Sequence, residues 1–437
     1  MQVVHTGTPE FENALATLAG RGNAVDLGVE QVVADILAAV RARGDEAVLE
    51  YTDKFDRVNI TPEGMAFTQA EIAAAYEKAD PKVVEALRYS AERIRAFHQR
   101  QIRTGYRYES EDGVSLGQLI RPLAAVGVYV PGGKAAYPST VLMNTIPAKV
   151  AGVGRVVMVT PTPGGDVNPY LLVAADIAGV DVGYRIGGAQ AVAALAYGTA
   201  TVPRVDVIVG PGNIFVATAK KQVYGEVNID MIAGPSEILV VADDSAHPAF
   251  VAADLLSQAE HDELASAILV TPSESLAKAV SGALAGQLAE LERTEIAKQS
   301  IDTYGFAIVT RDLDEAAQVA NRVAPEHLEL ALADPEALLP KIHNAGAIFL
   351  GHYTPEAIGD YVAGPDHVLP TGGTARFSSP LNVDDFIKKT SVLSYSRNAF
   401  KRVADTCVIL SDTEGLFAHS RSVKVRLATP PEASPPG

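Results

Sequence analysis

Val205-Asp-Val-Ile-Val-Gly-Pro-Gly-Asn-Ile214 holds a complete structural unit: a β-branched run, a pair of glycines, and the opening of a helix. Working outward from it, the same order recurs. Short β-branched runs lie at Val126–Val130, Val156–Thr160, Val182–Ile186, Val205–Val209 and Ile238–Ala242. Helical stretches separate them at Thr140–Val150, Pro169–Ile177, Gln190–Tyr197 and Ile214–Val223. Strand, helix, strand in this rhythm predicts βαβ units and a parallel sheet. Further runs at Ala267–Thr271, Phe306–Thr310 and Ala347–Leu350, separated by long helical stretches, predict a second sheet. The fold class is therefore α/β, with two Rossmann-like parallel-sheet domains, and no repeat strong enough to prove duplication.

The first hundred residues read differently. Val33, Ile36, Leu37, Val40, Val48 and Tyr51 form a helical stripe interrupted at Gly44. Asp80-Pro81 announces a second helix, through Val84, Leu87, Ala91, Ile94 and Phe97, by an N-cap followed by proline. Beyond Pro380 the pattern loosens into a tail that ends proline-rich and is expected to be disordered at its tip. The expected division is an N-terminal segment 1–25, a first α/β domain from 26–125 and 237–380, a second from 126–236, and a C-terminal arm 381–437.

Lys and Arg number 36 against 53 Asp and Glu, a net charge of −17 that disfavours a nucleic-acid partner. A single cysteine, Cys407, excludes an intrachain disulfide and a thiolate-only metal site. Its apolar neighbours suggest a small core residue. Apolar stretches are broken by Asn144, Lys149 and Arg155 before reaching membrane-spanning length. No signal-peptide pattern opens the chain, so a soluble cytoplasmic protein is expected.

Glycine clusters fall at strand ends: Pro131-Gly-Gly133, Gly187-Gly-Ala-Gln190 and Gly210-Pro-Gly-Asn213. Each could be a tight turn, or a site where backbone N–H groups meet a phosphate. Gln258 and His261 share a face of an expected helix over 250–264, a weak metal signal taken alone. Glu326-His327 supplies two proton acceptors of different basicity at the entry to a strand, though a solvated loop is the blander reading. Asp360 with His367, and Glu414 with His419, fall in glycine-containing loops with the same two readings. His5, His98, His247, His343 and His352 read as surface or helix-end residues.

Taken in order, the strings Val126-Gly-Val-Tyr-Val-Pro-Gly-Gly133, Gly187-Gly-Ala-Gln190, Val209-Gly-Pro-Gly-Asn213, Ala233-Gly-Pro-Ser-Glu237, Leu256-Ser-Gln-Ala-Glu-His-Asp262, Ala324-Pro-Glu-His-Leu-Glu329, Ile358-Gly-Asp-Tyr-Val-Ala-Gly-Pro365 and Gly373-Thr-Ala-Arg-Phe-Ser-Ser379 resemble the histidinol dehydrogenase family, from about residue 25 to 427. The resemblance implies a zinc-dependent, NAD-linked oxidation of L-histidinol to L-histidine through L-histidinal. It implies one Zn2+ per subunit, on Gln258, His261, Asp360 and His419, and an acid–base pair, Glu326 and His327. Substrate contacts would come from Ser236, Gln258, His261, His327, Asp360, His367, Glu414 and His419. NAD contacts would come from Tyr129, Gln190 and Asn213. A homodimer with shared active sites is implied, its C-terminal arm crossing to the partner.

A donor set of Gln, Asp and two His suits a lone-cysteine chain. The family commonly has Asn where Asp366 stands, and this extra carboxylate is expected to favour protonated His367. The rival readings are a paralogous dehydrogenase acting on another small alcohol, a zinc hydrolase and, least favoured because of the several ionisable candidates in loops, a non-catalytic binding protein.

Overall fold

The computed structural model describes residues 1–21, 27–110, 113–132 and 137–429. It begins with β1 (Gln2–His5), α1 (Pro9–Gly20), α2 (Leu27–Arg43), α3 (Asp45–Asp56), α4 (Gln69–Lys78) and α5 (Pro81–Gln99). Gly44 separates α2 from α3 at φ +57°, and the Asp80 side chain caps α5 by accepting from Lys82 N–H. After β2 (Tyr106–Glu109) and β3 (Val114–Pro122) comes the regular alternation β4 (Ala125–Tyr129), α6 (Pro138–Ala151), β5 (Arg155–Val159), α7 (Pro169–Ala178), β6 (Val182–Tyr184), α8 (Gly188–Tyr197), β7 (Val207–Val209), α9 (Ile214–Val223) and β8 (Asn228–Ile229). A second series follows: β9 (Glu237–Ala242), α10 (Pro248–Ala259), β10 (Ser266–Thr271), α11 (Glu274–Leu288), α12 (Thr294–Tyr304), β11 (Gly305–Val309), α13 (Leu313–Val323), β12 (His327–Ala331), α14 (Pro335–Leu338), β13 (Ala347–Leu350) and α15 (Glu356–Ile358). The chain closes with β14 (Ile387–Tyr395), α16 (Arg397–Thr413) and α17 (Phe417–Ala428).

Two all-parallel sheets result, as the strand pattern predicts. One has the order β6-β5-β4-β7-β8, the other β1-β11-β10-β9-β12-β13. Along each strand alternate side chains enter different cores, so both faces must be covered. In the five-stranded sheet Val126, Val128, Val156 and Val207 join α4–α7, while Val157, Val159 and Ile208 join α2, α3, α8 and α9. In the six-stranded sheet Ile238, Val240 and Leu269 meet α10–α12, while Leu239, Ile268 and Leu328 meet α1, α13 and α14. Each such buried Val, Ile or Leu contributes about 1.5–3 kcal/mol.

Several expectations need correction. The helices over 27–99 pack on the five-stranded sheet, not with the 237–380 strands they were grouped with. The opening residues are not a separate segment, because β1 pairs with β11 in the six-stranded sheet. α10 stops at Ala259, since Asp262 caps its own turn by accepting from Leu264 N–H at 2.9 Å. His98 is fully buried, and Cys407 is exposed rather than part of a core. Gly133 and the proline-rich end beyond Thr429 lie outside the described residues. No helix among the described residues is long and apolar enough to cross a membrane.

The chain divides into two compact units, Met1–Ile102 with Pro122–Phe386, and Arg103–Arg121 with Ile387–Gly437. The first holds both parallel sheets. The second is built from the sheet β14-β3-β2 and the α16–α17 pair, and it exposes Leu393, Ile409, Leu410 and Phe417.

Candidate functional site

In the six-stranded sheet the connections run out in opposite directions from β9, toward β10 on one side and β12 on the other. The register pairs His327 with Ile238, which sets Glu326 beside Glu237 at the amino ends of these two strands. Ala324, in the left-handed conformation at φ +50°, ends α13 and turns the chain through Pro325 into β12. Glu237 N–H donates to Glu326 Oε2 at 2.9 Å, and Glu326 N–H donates to Glu237 Oε2 at 3.2 Å. His327 Nδ1 lies 3.1 Å from the Glu237 carbonyl. In the neutral ring, donation there leaves Nε2 as the basic nitrogen. That Nε2 has no hydrogen-bond partner and lies 3.7 Å from Asp360 Oδ1 and 3.9 Å from Glu356 Oε1.

Gln258, buried at the end of α10, fits this cluster with its amide nitrogen donating to Glu356 Oε1 (3.0 Å) and its oxygen accepting from Glu237 N–H and His327 Nδ1 (3.2 Å each). His261 lies just past the helix, its N–H bonded to the Gln258 carbonyl, and desolvation lowers its imidazole against the opposing charge of Asp360. Gln258 reaches the cluster from the helix end, while His261 lies beyond the helix and does not share its face. Asp360 sits in a π-helical turn, Gly359–Ala363, a distortion that re-aims side chains. His367 is held by both nitrogens, Nδ1 to the Asp360 carbonyl at 3.2 Å and Nε2 to Thr140 Oγ1 at 3.3 Å. Ser236, half-buried, immediately precedes β9.

Asp366 does not act on His367 as the sequence suggested. Its side chain is fully buried, accepts from Val368 N–H at 2.8 Å and faces His98 Nε2 at 3.9 Å. Burial pushes its carboxyl well above the usual range, and burial lowers His367.

Burial also governs the cluster. It raises Glu326 to about 8 and Glu356 to about 7, each moderated by the nearby His327 charge. Burial alone would depress His327, but Glu356, Glu326 and Asp360 outweigh it and hold the imidazole well above its ordinary value. Asp360 falls below its ordinary value because His327 outweighs burial. Behind Glu356, whose N–H donates to Glu329 Oε1 at 2.9 Å, Asp254 and Glu329 form a buried carboxyl pair. Burial lifts Asp254 to about 6.

His327, Glu356 and Asp360 offer ligand atoms within 4.8 Å of one another. Glu356 Oε2 is unpartnered and lies with Asp360 and the Gln258 amide, donors that fit a divalent cation of zinc type while His327 Nε2 stays free to accept a proton. Glu356, Glu237 and Arg21, which pairs with Glu237, were not singled out from sequence. Neither was the Asp254–Glu329 pair. One signal was available: Glu237 and Glu329 are charges in strands that otherwise read apolar, and a both-faces-buried parallel strand tolerates a charge only with a partner.

The five-stranded sheet has a different active edge. Its order also reverses, between β4 and β7, and there the carboxyl ends carry Tyr129 and Gly210. Tyr129 Oη accepts from Gly188 N–H at 3.0 Å, and burial pushes its phenol up to about 12. Gln190 is buried in the first turn of α8 with Oε1 unpartnered. Asn213 caps α9, accepting from Phe215 N–H (3.1 Å) and Val216 N–H (3.2 Å). Gly210, at φ +108°, has room for no side chain, since a Cβ would fall 2.1 Å from the Tyr129 carbonyl oxygen. A buried Lys220–Asp230 pair grips this glycine, Lys220 Nζ donating to its C=O (2.9 Å) and Asp230 Oδ2 accepting its N–H (2.8 Å). Helix N-termini at a switch point of parallel strands are where dinucleotide phosphates bind.

Glu414 and His419 belong to the second unit, at the end of α16 and the start of α17, and both are exposed.

A buried acid–base cluster beside a cation-type donor set, with glycine turns at helix N-termini on a second parallel sheet, is consistent with an oxidoreductase of the dehydrogenase class. The comparisons with known proteins agree. The family described as Histidinol dehydrogenase matches residues 20–427. A histidinol dehydrogenase of Geobacter metallireducens is 57% identical over 424 residues, covering 97% of each chain, and that of Syntrophotalea carbinolica is 57% identical, covering 98% of this chain and 99% of its own. The solved structure of histidinol dehydrogenase from Elizabethkingia anophelis superposes with a TM-score of 0.92 at 36% identity, covering 98% of each chain. The chain belongs to the histidinol dehydrogenase family.

Proposed function

We propose that this enzyme oxidises L-histidinol to L-histidine through L-histidinal, consuming two NAD+ in turn, as the closing reactions of histidine biosynthesis. The observation that carries the reading is the Glu326–His327 pair, buried at one strand head with an unpartnered imidazole nitrogen facing Asp360 and Glu356. His327 Nε2 takes the hydroxyl proton as the carbinol hydride leaves for the nicotinamide. Glu326 then activates water against the aldehyde, and its burial, which raises its carboxyl above the ordinary range, strengthens its hold on the proton it takes. His327 accepts again as the hydrate is oxidised.

Zinc, when bound, would hold the substrate by its imidazole and amino nitrogens and orient it. Gln258, His261 and Asp360 would supply its ligands, with His419 from the arm of a second protomer, and Glu356 is a further carboxylate within reach. Ser236, His367 and Glu414 would contact the substrate. NAD would lie along Tyr129, Gln190 and Asn213, supported by the helix N-termini at that edge. His367 bonds Thr140 of α6, the helix that follows β4, so the substrate loop and the cofactor-side sheet meet at that pair. The exposed apolar residues of the second unit support a homodimer in which the arm completes the partner's site.

Adding histidinol and NAD+ to the purified enzyme should produce absorbance at about 340 nm, the NADH band of the cofactor. Absence of NADH in zinc-replete enzyme would overturn the reading.

A further inference from the structure

Glu237 holds Glu326 in two ways. Glu237 donates its N–H to the Glu326 carboxylate and accepts the Glu326 N–H on its own. The other Glu237 oxygen, Oε1, accepts from Gly372 N–H at 3.1 Å and pairs with the Arg21 guanidinium. Arg21 follows α1 and has a side chain only 1% exposed. Its Nη1 reaches the Ser236 carbonyl at 3.5 Å, and its guanidinium lies 5.9 Å from the Tyr304 ring centroid. A guanidinium is a planar fork, so it sets the rotation of the carboxylate it pairs with, not merely its charge. Here that rotation decides which Glu237 oxygen accepts the Glu326 main-chain N–H, and through that bond it sets the backbone from which the Glu326 carboxylate projects.

We infer that Arg21 and Glu237 are positioning residues that hold the Glu326 carboxylate in the orientation required to activate water, and that they therefore act on the second oxidation rather than the first. This rests on the role proposed above for Glu326. The first step, RCH2OH + NAD+ → RCHO + NADH + H+, needs only a proton acceptor at His327. The second, RCHO + H2O + NAD+ → RCOO− + NADH + 2H+, also needs an oriented water. A carboxylate misplaced by about 1 Å loses roughly 100-fold in rate.

The test is a single-turnover experiment with zinc-loaded enzyme in excess over histidinol and NAD+ saturating. Wild type should release two NADH per histidinol. Arg21→Met should release the first within about twofold of the wild-type rate and the second roughly 100-fold more slowly. Its KM for histidinol should stay unchanged, and histidinal supplied directly should show the same deficit. Breaking a buried ion pair can prevent folding. Arg21→Lys keeps the charge but not the fork, and it should show the same selective loss at about tenfold. Equal slowing of both steps, or of neither, in a folded variant overturns the inference. Glu326→Gln is the control for the underlying reading. If Glu326→Gln is slow in the second step while both Arg21 variants are normal, only the positioning role fails. If Glu326→Gln itself keeps a fast second step, the role of Glu326 and this inference fall together.

Discussion

The two parallel sheets reverse their strand order in the same way, yet they build opposite edges. The five-stranded sheet gathers its glycine turns and helix N-termini at its carboxyl ends, around Tyr129, Gly188, Gly210 and Asn213. The six-stranded sheet works at its amino ends, where Glu237, Glu326 and His327 are packed with Gln258, Glu356 and Asp360. The first edge suits an anionic ligand without using charged side chains. The second concentrates ionisable groups where burial sets their basicity. Each edge is also pinned by a buried ion pair, Lys220–Asp230 on one and Arg21–Glu237 on the other. A dehydrogenase needs both kinds of edge, because hydride acceptance and proton transfer make different demands.

This division can be broken by experiment, and the largest effect belongs to the amino edge. His327→Asn should lower kcat by about 10²–10⁴-fold with little change in the KM for NAD+. A comparable rise in that KM would erase the distinction between the edges. Next comes metal retention. Glu356→Gln should cost roughly 10–100-fold in zinc affinity, read by elemental analysis after dialysis against graded chelator. Removing the metal from wild type should abolish turnover, and zinc should restore it. On the carboxyl edge, Gly210→Ala forces a left-handed backbone and a clash with the Tyr129 carbonyl. About 1–2 kcal/mol of strain should raise the KM for NAD+ about tenfold. The KM for histidinol should not move, and if it does, the two edges are not separable.

The smallest effect concerns stability. Asp366 has a raised pKa in the folded state, so the folded chain binds its proton more tightly than the unfolded chain. Its stabilising contribution is complete below the ordinary carboxyl value near 4 and is lost as pH rises through the higher folded value. Asp366→Asn, which mimics the neutral form, should therefore gain in Tm relative to wild type as pH rises above about 4. A Tm difference independent of pH would refute this, and the pH–rate profile of His367 should be unaffected.

Most of the fold was legible in sequence because its strands are continuous β-branched runs closed by glycine turns, and the parallel class follows directly from that. What escaped was long-range. β1 is four residues long and gains its place only from β11, some three hundred residues away. The grouping of α2–α5 depended on which sheet they cover, which no local period encodes. For the site, Glu326, His327, Gln258 and Asp360 were identified as a set only through the family resemblance, since each alone resembled a solvated loop or surface residue. Glu356 carried no local signal at all, because its role comes from packing against Gln258 and His327. Cys407 was misjudged, and the burial of His98 at the end of α5 was not foreseen, because burial of a single residue on an amphipathic helix depends on what packs there.

The pairing of β1 with β11 also constrains the order of assembly. During synthesis, residues 2–5 must wait until residues 305–309 have emerged before their edge of the sheet can close. Arg21, carried on the helix that follows β1, can seat against Glu237 only with or after that closure. The nascent chain can thus fold its five-stranded sheet early while its proton-handling centre stays unassembled, the first strand translated waiting on a partner made some three hundred residues later.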